Sequence, residues 1–139
     1  MKNQVYIQIK SLQITKDHER EEIETNARGT YQEKNGSHYL IFEEKDDENS
    51  GKTNNILKFT DQRLHMSKSG LVNVHMDFEK GKKSLSNYQT PFGALLLEID
   101  TDVVTLDLQE KSLSLHLEYE LAVNDEHQAK CMIDVTATE

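Results

Sequence analysis

Leu113, Leu115, Leu117, Tyr119, Leu121 and Val123 alternate without a break with Ser112, Ser114, His116, Glu118, Glu120 and Ala122. Successive side chains on a strand point to opposite faces, so this stretch predicts one strand with an apolar face and a mostly polar one. The same period recurs elsewhere. Val5, Ile7 and Ile9 alternate with Tyr6, Gln8 and Lys10, and Leu12 and Ile14 then take the other parity. That shift predicts a β-bulge in the first strand. Odd positions carry Ile23, Thr25, Ala27, Gly29 and Tyr31, and the pattern runs on to Lys34. Val72, Val74, Met76 and Phe78 alternate with Asn73, His75, Asp77 and Glu79.

Turn chemistry divides these runs. Asn35-Gly36 predicts a type I′ hairpin, because both residues tolerate positive φ. Lys16 to Glu22 and Lys45 to Gly51 are charged stretches that read as solvated loops. Ser69-Gly70, Lys80 to Lys83 and Asn124-Asp125 read as further turns. Pro91-Phe92-Gly93 holds the chain's proline, which belongs at a turn or strand edge. Between these breaks lie Ser37 to Glu44, Thr53 to Thr60, Arg63 to Lys68, Ser84 to Thr90, Ala94 to Asp100, Thr101 to Leu108 and Gln128 to Thr136. Roughly nine or ten strands result, with no amphipathic helix of three turns, and that pattern predicts an all-β antiparallel barrel or sandwich. An up-and-down barrel removes exposed edges at about this strand count.

Length and charge narrow the classes. A chain of 139 residues fits one domain, with enough length for a real core. With 25 acidic against 16 basic residues, the net charge of -9 repels phosphate backbones and anionic lipid. Neither nucleic acid nor a membrane is therefore expected as a partner. The single cysteine, Cys131, excludes an internal disulfide, and its parity with Ile133 and Val135 predicts burial. Lys2, Gln4, Gln8 and Lys10 interrupt the start of the chain, so no signal-peptide core is legible there. The expected setting is cytoplasmic.

Candidate chemistry is thin. His18, His38, His65, His75, His116 and His127 stand at spacings unlike those of strand or helix metal sites, and they read as scattered surface residues. Asp46, Glu48, Ser50 and Gly51 partly mimic a calcium loop, but the twelfth position is Leu57, which cannot coordinate. No nucleophile elbow surrounds any serine. The pairs Glu21-Glu22, Glu43-Glu44 and Asp46-Asp47 point to opposite faces on a strand. No cofactor, metal or catalytic grouping is expected. The aromatic residues Tyr31, Tyr39, Phe78, Tyr88, Phe92 and Tyr119 are more informative, since tyrosine suits both a packed core and the wall of a small-molecule cavity.

Several pieces fall in a recognisable order: Gly29-Thr30-Tyr31, Lys34-Asn35-Gly36, Phe42-Glu43-Glu44, Ser69-Gly70, Met76 to Lys82, and Tyr88-Gln89-Thr90-Pro91-Phe92-Gly93. This layout resembles the YwiB-like family, small bacterial proteins of unknown function, over nearly the whole chain. The resemblance implies a calycin-like β-barrel, related in architecture to lipocalins and fatty-acid-binding proteins, and no established activity. Members of that family often carry an arginine two residues before the glycine that here is Gly70, whereas this chain has Lys68. Lysine keeps the charge and loses the planar fork.

The leading expectation is a binding module for a small, partly apolar ligand. Tyr31, Tyr39, Tyr88 and Tyr119 are its expected wall residues, and Lys68 is the charged partner at a rim. The alternative is a barrel filled with side chains whose outer face binds another protein or a second copy as a homodimer. Leu95-Leu96-Leu97 motivates it, because consecutive leucines place one side chain opposite the core. A cavity enzyme ranks last.

Overall fold

The computed structural model describes residues 1–45, 51–70 and 73–139. The described residues form ten strands: β1 (Gln4–Thr15), β2 (Arg20–Lys34), β3 (Ser37–Lys45), β4 (Lys52–Phe59), β5 (Arg63–Ser69), β6 (Asn73–Glu79), β7 (Lys83–Thr90), β8 (Gly93–Leu108), β9 (Ser112–Val123) and β10 (Glu126–Thr138). Each pairs antiparallel with its sequence neighbours, and β1 pairs with β10, so the sheet closes into an up-and-down barrel. Closure leaves no terminal strand at a sheet edge.

This topology sorts the strands between two ends. The strands β1, β3, β5, β7 and β9 finish at one end, here the mouth. The others finish at the opposite end, the floor, with both chain termini. There the Lys2 N–H donates to Glu139 Oε1 at 2.6 Å, and the Glu139 N–H donates to the Lys111 carbonyl at 3.1 Å. The hairpin Asn35-Gly36 has positive φ at both positions (53° and 80°), as its sequence predicts. Asn124-Asp125 repeats that device at the mouth (49° and 70°).

The alternating face of β9 points inward. Leu113, Leu115 and Leu117 are fully buried against Val5, Ile7, Leu40, Phe59, Leu64, Val135 and Ala137. These side chains fill the floor half of the barrel. The floor is finished by a ring stack in which His38 lies between Tyr31 (5.9 Å between centroids) and Phe59 (5.5 Å). The Tyr31 hydroxyl and His38 Nδ1 share a hydrogen bond of 2.7 Å. His38 is thus a buried residue and not a surface one, because its neighbours Leu40 and Phe42 share its inward parity.

Three local readings are corrected. β1 contains no bulge, since its pairing runs one-to-one from Tyr6 opposite Thr138 to Thr15 opposite Ala129. Leu12 and Ile14 face outward, while Ser11 and Gln13 keep the inward parity. The charged stretch from Lys16 is a loop only as far as Glu19, because β2 begins at Arg20 and pairs Glu21 and Glu22 with Gln13 and Leu12 of β1. Residues Ala94 to Leu108 form one strand, not two. A bulge at Asp102 lets Thr101 and Val104 both face inward.

Two seams interrupt the ladder. β2 pairs with β1 along most of its length but with β3 only from Gly29 onward, opposite Phe42. Toward the mouth the two strands part. Between β6 and β7 the ladder holds only Asn73–Gln89 and Val74–Tyr88. Further down, the Ser84 and Ser86 hydroxyls donate to the Asp77 and His75 carbonyls and take the place of backbone bonds.

Candidate binding cavity

The inward parity of each strand changes character on the way from floor to mouth. On β9 it passes from the packed Leu113, Leu115 and Leu117 to Tyr119 and Leu121, which line open space. On β1 it passes from Val5 and Ile7 to Ile9, Ser11 and Gln13. On β4 it passes from Phe59 and Leu57 to Asn55. The result is a cavity of about 450 Å³ in the mouth half, within the usual range for small-molecule sites of about 300–1,000 Å³. Its wall is mostly apolar: Phe42, Leu57, Met66, Val74, Met76, Phe78, Leu95, Leu97, Leu121 and Ile133.

The base of the cavity is aromatic. Phe78 and Tyr119 meet edge to face at 4.8 Å. Behind them the Tyr119 hydroxyl lies in hydrogen-bond contact with the Cys131 thiol. Burial raises the Tyr119 hydroxyl well above the ordinary phenol range, and Cys131 adds to that. Burial likewise raises the thiol to about 11, with the Tyr119 contact opposing in part. Both groups stay protonated and neutral at ordinary pH, which suits an apolar wall.

Polar groups cluster toward the mouth. Lys68 on β5 and Glu44 on β3 both face inward, with Nζ 3.6 Å from Oε1. Asn55 on β4 sits between their strands, opposite Lys68 and Phe42 in register. It is 1% exposed. Its Nδ2 donates to the Thr53 carbonyl at 3.4 Å, and its Oδ1 has no hydrogen-bond partner among the described residues. Ser11, Gln13, Thr25 and Tyr88 complete the polar part of the lining.

Of the residues expected at a binding site, Lys68, Tyr88 and Tyr119 come together in this cavity. Tyr31 faces inward but belongs to the floor, across the packed core from the open half. Tyr39 does not reach the interior, because it alternates with the buried Leu40 and points outward under Lys58, whose Nζ is 5.7 Å from its ring centroid. Phe92 lies on the exposed turn after β7. Glu44, Asn55 and the two methionines of the wall, Met66 and Met76, are not among the residues the sequence places at a binding site. The parity of Ser11 and Gln13 was the available signal, since polar residues on an inward face mark solvated space.

The remaining histidines point outward. His65 meets Asp77 at 2.5 Å and stacks on His75. His116 lies between Asp134 (2.6 Å) and Glu118 (3.0 Å), and His127 meets Glu120 at 2.7 Å. Among the described residues no group of three or more His, Cys, Asp or Glu side chains is placed to hold a metal. Asp46, Glu48 and Ser50 of the calcium-loop reading lie outside the described residues, as does Val72.

The molecule is thus a closed antiparallel β-barrel, packed at one end and hollow at the other. Residues 7–135 match the domain of unknown function DUF1934, and the chain belongs to that family. It is 29% identical over 124 residues to the uncharacterized beta-barrel protein YwiB of Bacillus subtilis (strain 168), covering 89% of this chain and 85% of that protein. The crystal structure of the ywiB protein from Bacillus subtilis superposes with a TM-score of 0.85 at 25% identity, covering 98% of this chain and 91% of that one.

Proposed function

We propose that this protein is a binding module that holds a small, partly apolar ligand in the mouth half of its barrel. The observation that carries the reading is the one-ended cavity, whose apolar wall ends in a few polar groups at the rim. Such a site buries the body of a ligand and fixes its orientation through one or two polar contacts. The up-and-down closed barrel supports the calycin-like comparison, because barrels of this kind either fill with side chains or hold one ligand. A cytoplasmic setting belongs to the same proposal, supported by the one buried, unpaired cysteine.

Titration with Nile red, an uncharged apolar dye, tests the reading. Saturable uptake of one dye per chain is expected, and Leu121→Trp, which projects bulk into the cavity, should abolish it. No saturable uptake by the native protein, or unchanged uptake by the folded variant, would overturn the reading.

A second reading rests on the outer face of β7 and β8. Leu85 is 67% exposed there, and Leu96 is its diagonal neighbour on the adjoining strand. Self-association through this patch predicts a dimer at micromolar concentration in sedimentation. A monomer throughout would remove it.

A further inference from the structure

The polar end of the cavity has an unusual composition for a site that would hold a charged amphiphile. Among the described residues its lining holds one cation and one carboxylate, and these already face each other, with Lys68 Nζ 3.6 Å from Glu44 Oε1. A carboxylate head that approaches Lys68 therefore meets Glu44 at nearly the same distance. An ammonium head that approaches Glu44 meets Lys68. In either case attraction and repulsion largely offset, and the head still loses its own hydration. Beside this pair stands Asn55, 99% withdrawn from solvent by its 1% exposure, with an acceptor oxygen that lacks a partner. A buried acceptor without a donor is destabilising, and a ligand that supplies the donor recovers that loss on binding.

We infer that the cavity selects uncharged amphiphiles bearing a hydrogen-bond-donating head, a hydroxyl in the simplest case, which donates to Asn55 Oδ1 while the Lys68–Glu44 pair excludes charged heads of both signs. The inference rests on the binding-module reading and adds the class of ligand to it. The apolar body would lie on Phe78, Met76 and Leu121. The head would stop at the level of Asn55, where the lining turns polar.

The test is a matched series measured by isothermal titration with the full chain: decanol, decyl methyl ether, decanoate and decylamine. Decanol is expected to bind roughly three- to tenfold more tightly than the ether, which has the same oxygen but no donor. Decanoate and decylamine are both expected to bind at least about tenfold more weakly than decanol. Glu44→Gln should release Lys68 and raise the affinity for decanoate, and Lys68→Gln should do the same for decylamine. Asn55→Leu should bring decanol down to the level of the ether. Because the native series alone reads the preference, the test survives a failure of any one variant to fold. Binding of decanoate or decylamine as tight as decanol, or equal binding of ether and alcohol, overturns the inference while leaving the binding module intact. If none of the four binds saturably while Nile red does, the inference also fails. If the dye fails too, the underlying reading fails with it.

Discussion

Gly29 sits where β2 and β3 stop pairing, and a side chain there has no room. A Cβ would overlap the Ile41 carbonyl oxygen and crowd Ile7 Cδ1 and Phe42 Cβ. Two of those neighbours are backbone or the root of a side chain, so they cannot swing aside. Gly29→Ala is expected to cost about 1–3 kcal/mol, read as a lower denaturant midpoint at unchanged slope. Cys131 gives a chemical counterpart. Its thiol is 1% exposed, and burial holds its pKa at about 11, so thiol reagents at pH 8 should label it only as fast as the protein opens. Rapid labelling without denaturant would contradict the packing drawn around it. His116 carries the clearest pH dependence. Its pKa is raised, chiefly by the hydrogen bond to Glu118 and also through Asp134, against a lowering by desolvation. Proton binding therefore favours the folded state. The contribution is complete below the unfolded value of about 6.5 and disappears as the pH rises through the higher folded value. An NMR titration of the His116 ring should show a midpoint above 6.5, and Asp134→Asn should lower it.

At the scale of the strand, β8 depends on a single inserted residue. Leu95, Leu97, Ile99 and Thr101 face inward on odd positions, and Val104 and Leu106 on even ones. Asp102 absorbs the change. Deleting Asp102 would turn one half of the strand inside out, and the deleted chain should lose its dispersed NMR spectrum. Asp102→Ala, which keeps the count, should leave it intact. The same parity change is visible in the sequence of β1, where it has a different cause. Ile9 gives way to Ser11 and Gln13 on an unbroken strand because the barrel is hollow at that height, and Leu12 and Ile14 cover the outside. Periodicity alone cannot tell an inserted residue from an inward face that has turned polar, because both shift the apolar set by one. The pairing partner decides, and that is a long-range fact. β9 was legible for the opposite reason, since its inward face stays apolar from Leu113 to Leu121 and the residues inserted into its two ladders lie on its partners β8 and β10, not on β9 itself. Lys68, Tyr88 and Tyr119 could be chosen from the sequence because they are distinctive residues on strands. Tyr39 is equally distinctive but has the other parity, and Asn55 was hidden among ordinary polar residues of β4.

For the whole molecule the division into a packed half and a hollow half is the property that matters. It predicts an asymmetry in tolerance to added volume. Leu115→Phe, in the filled half, should cost about 1–3 kcal/mol, because a close-packed core has no slack. Leu121→Phe, which projects into the cavity, should change stability by less than about 1 kcal/mol while reducing uptake of Nile red. Equal losses at both positions would show that the cavity is closed up in solution. The placement of the two chain termini has a practical bearing on such work. Both meet at the floor, joined through Lys2 and Glu139, a full barrel length from the polar rim. A purification tag, a fused domain or a surface linker on either terminus hangs away from the opening. The protein can therefore be immobilised by either end on a sensor chip with its entrance facing the flow, and a circular permutant that joins residue 139 to residue 1 would leave that entrance untouched.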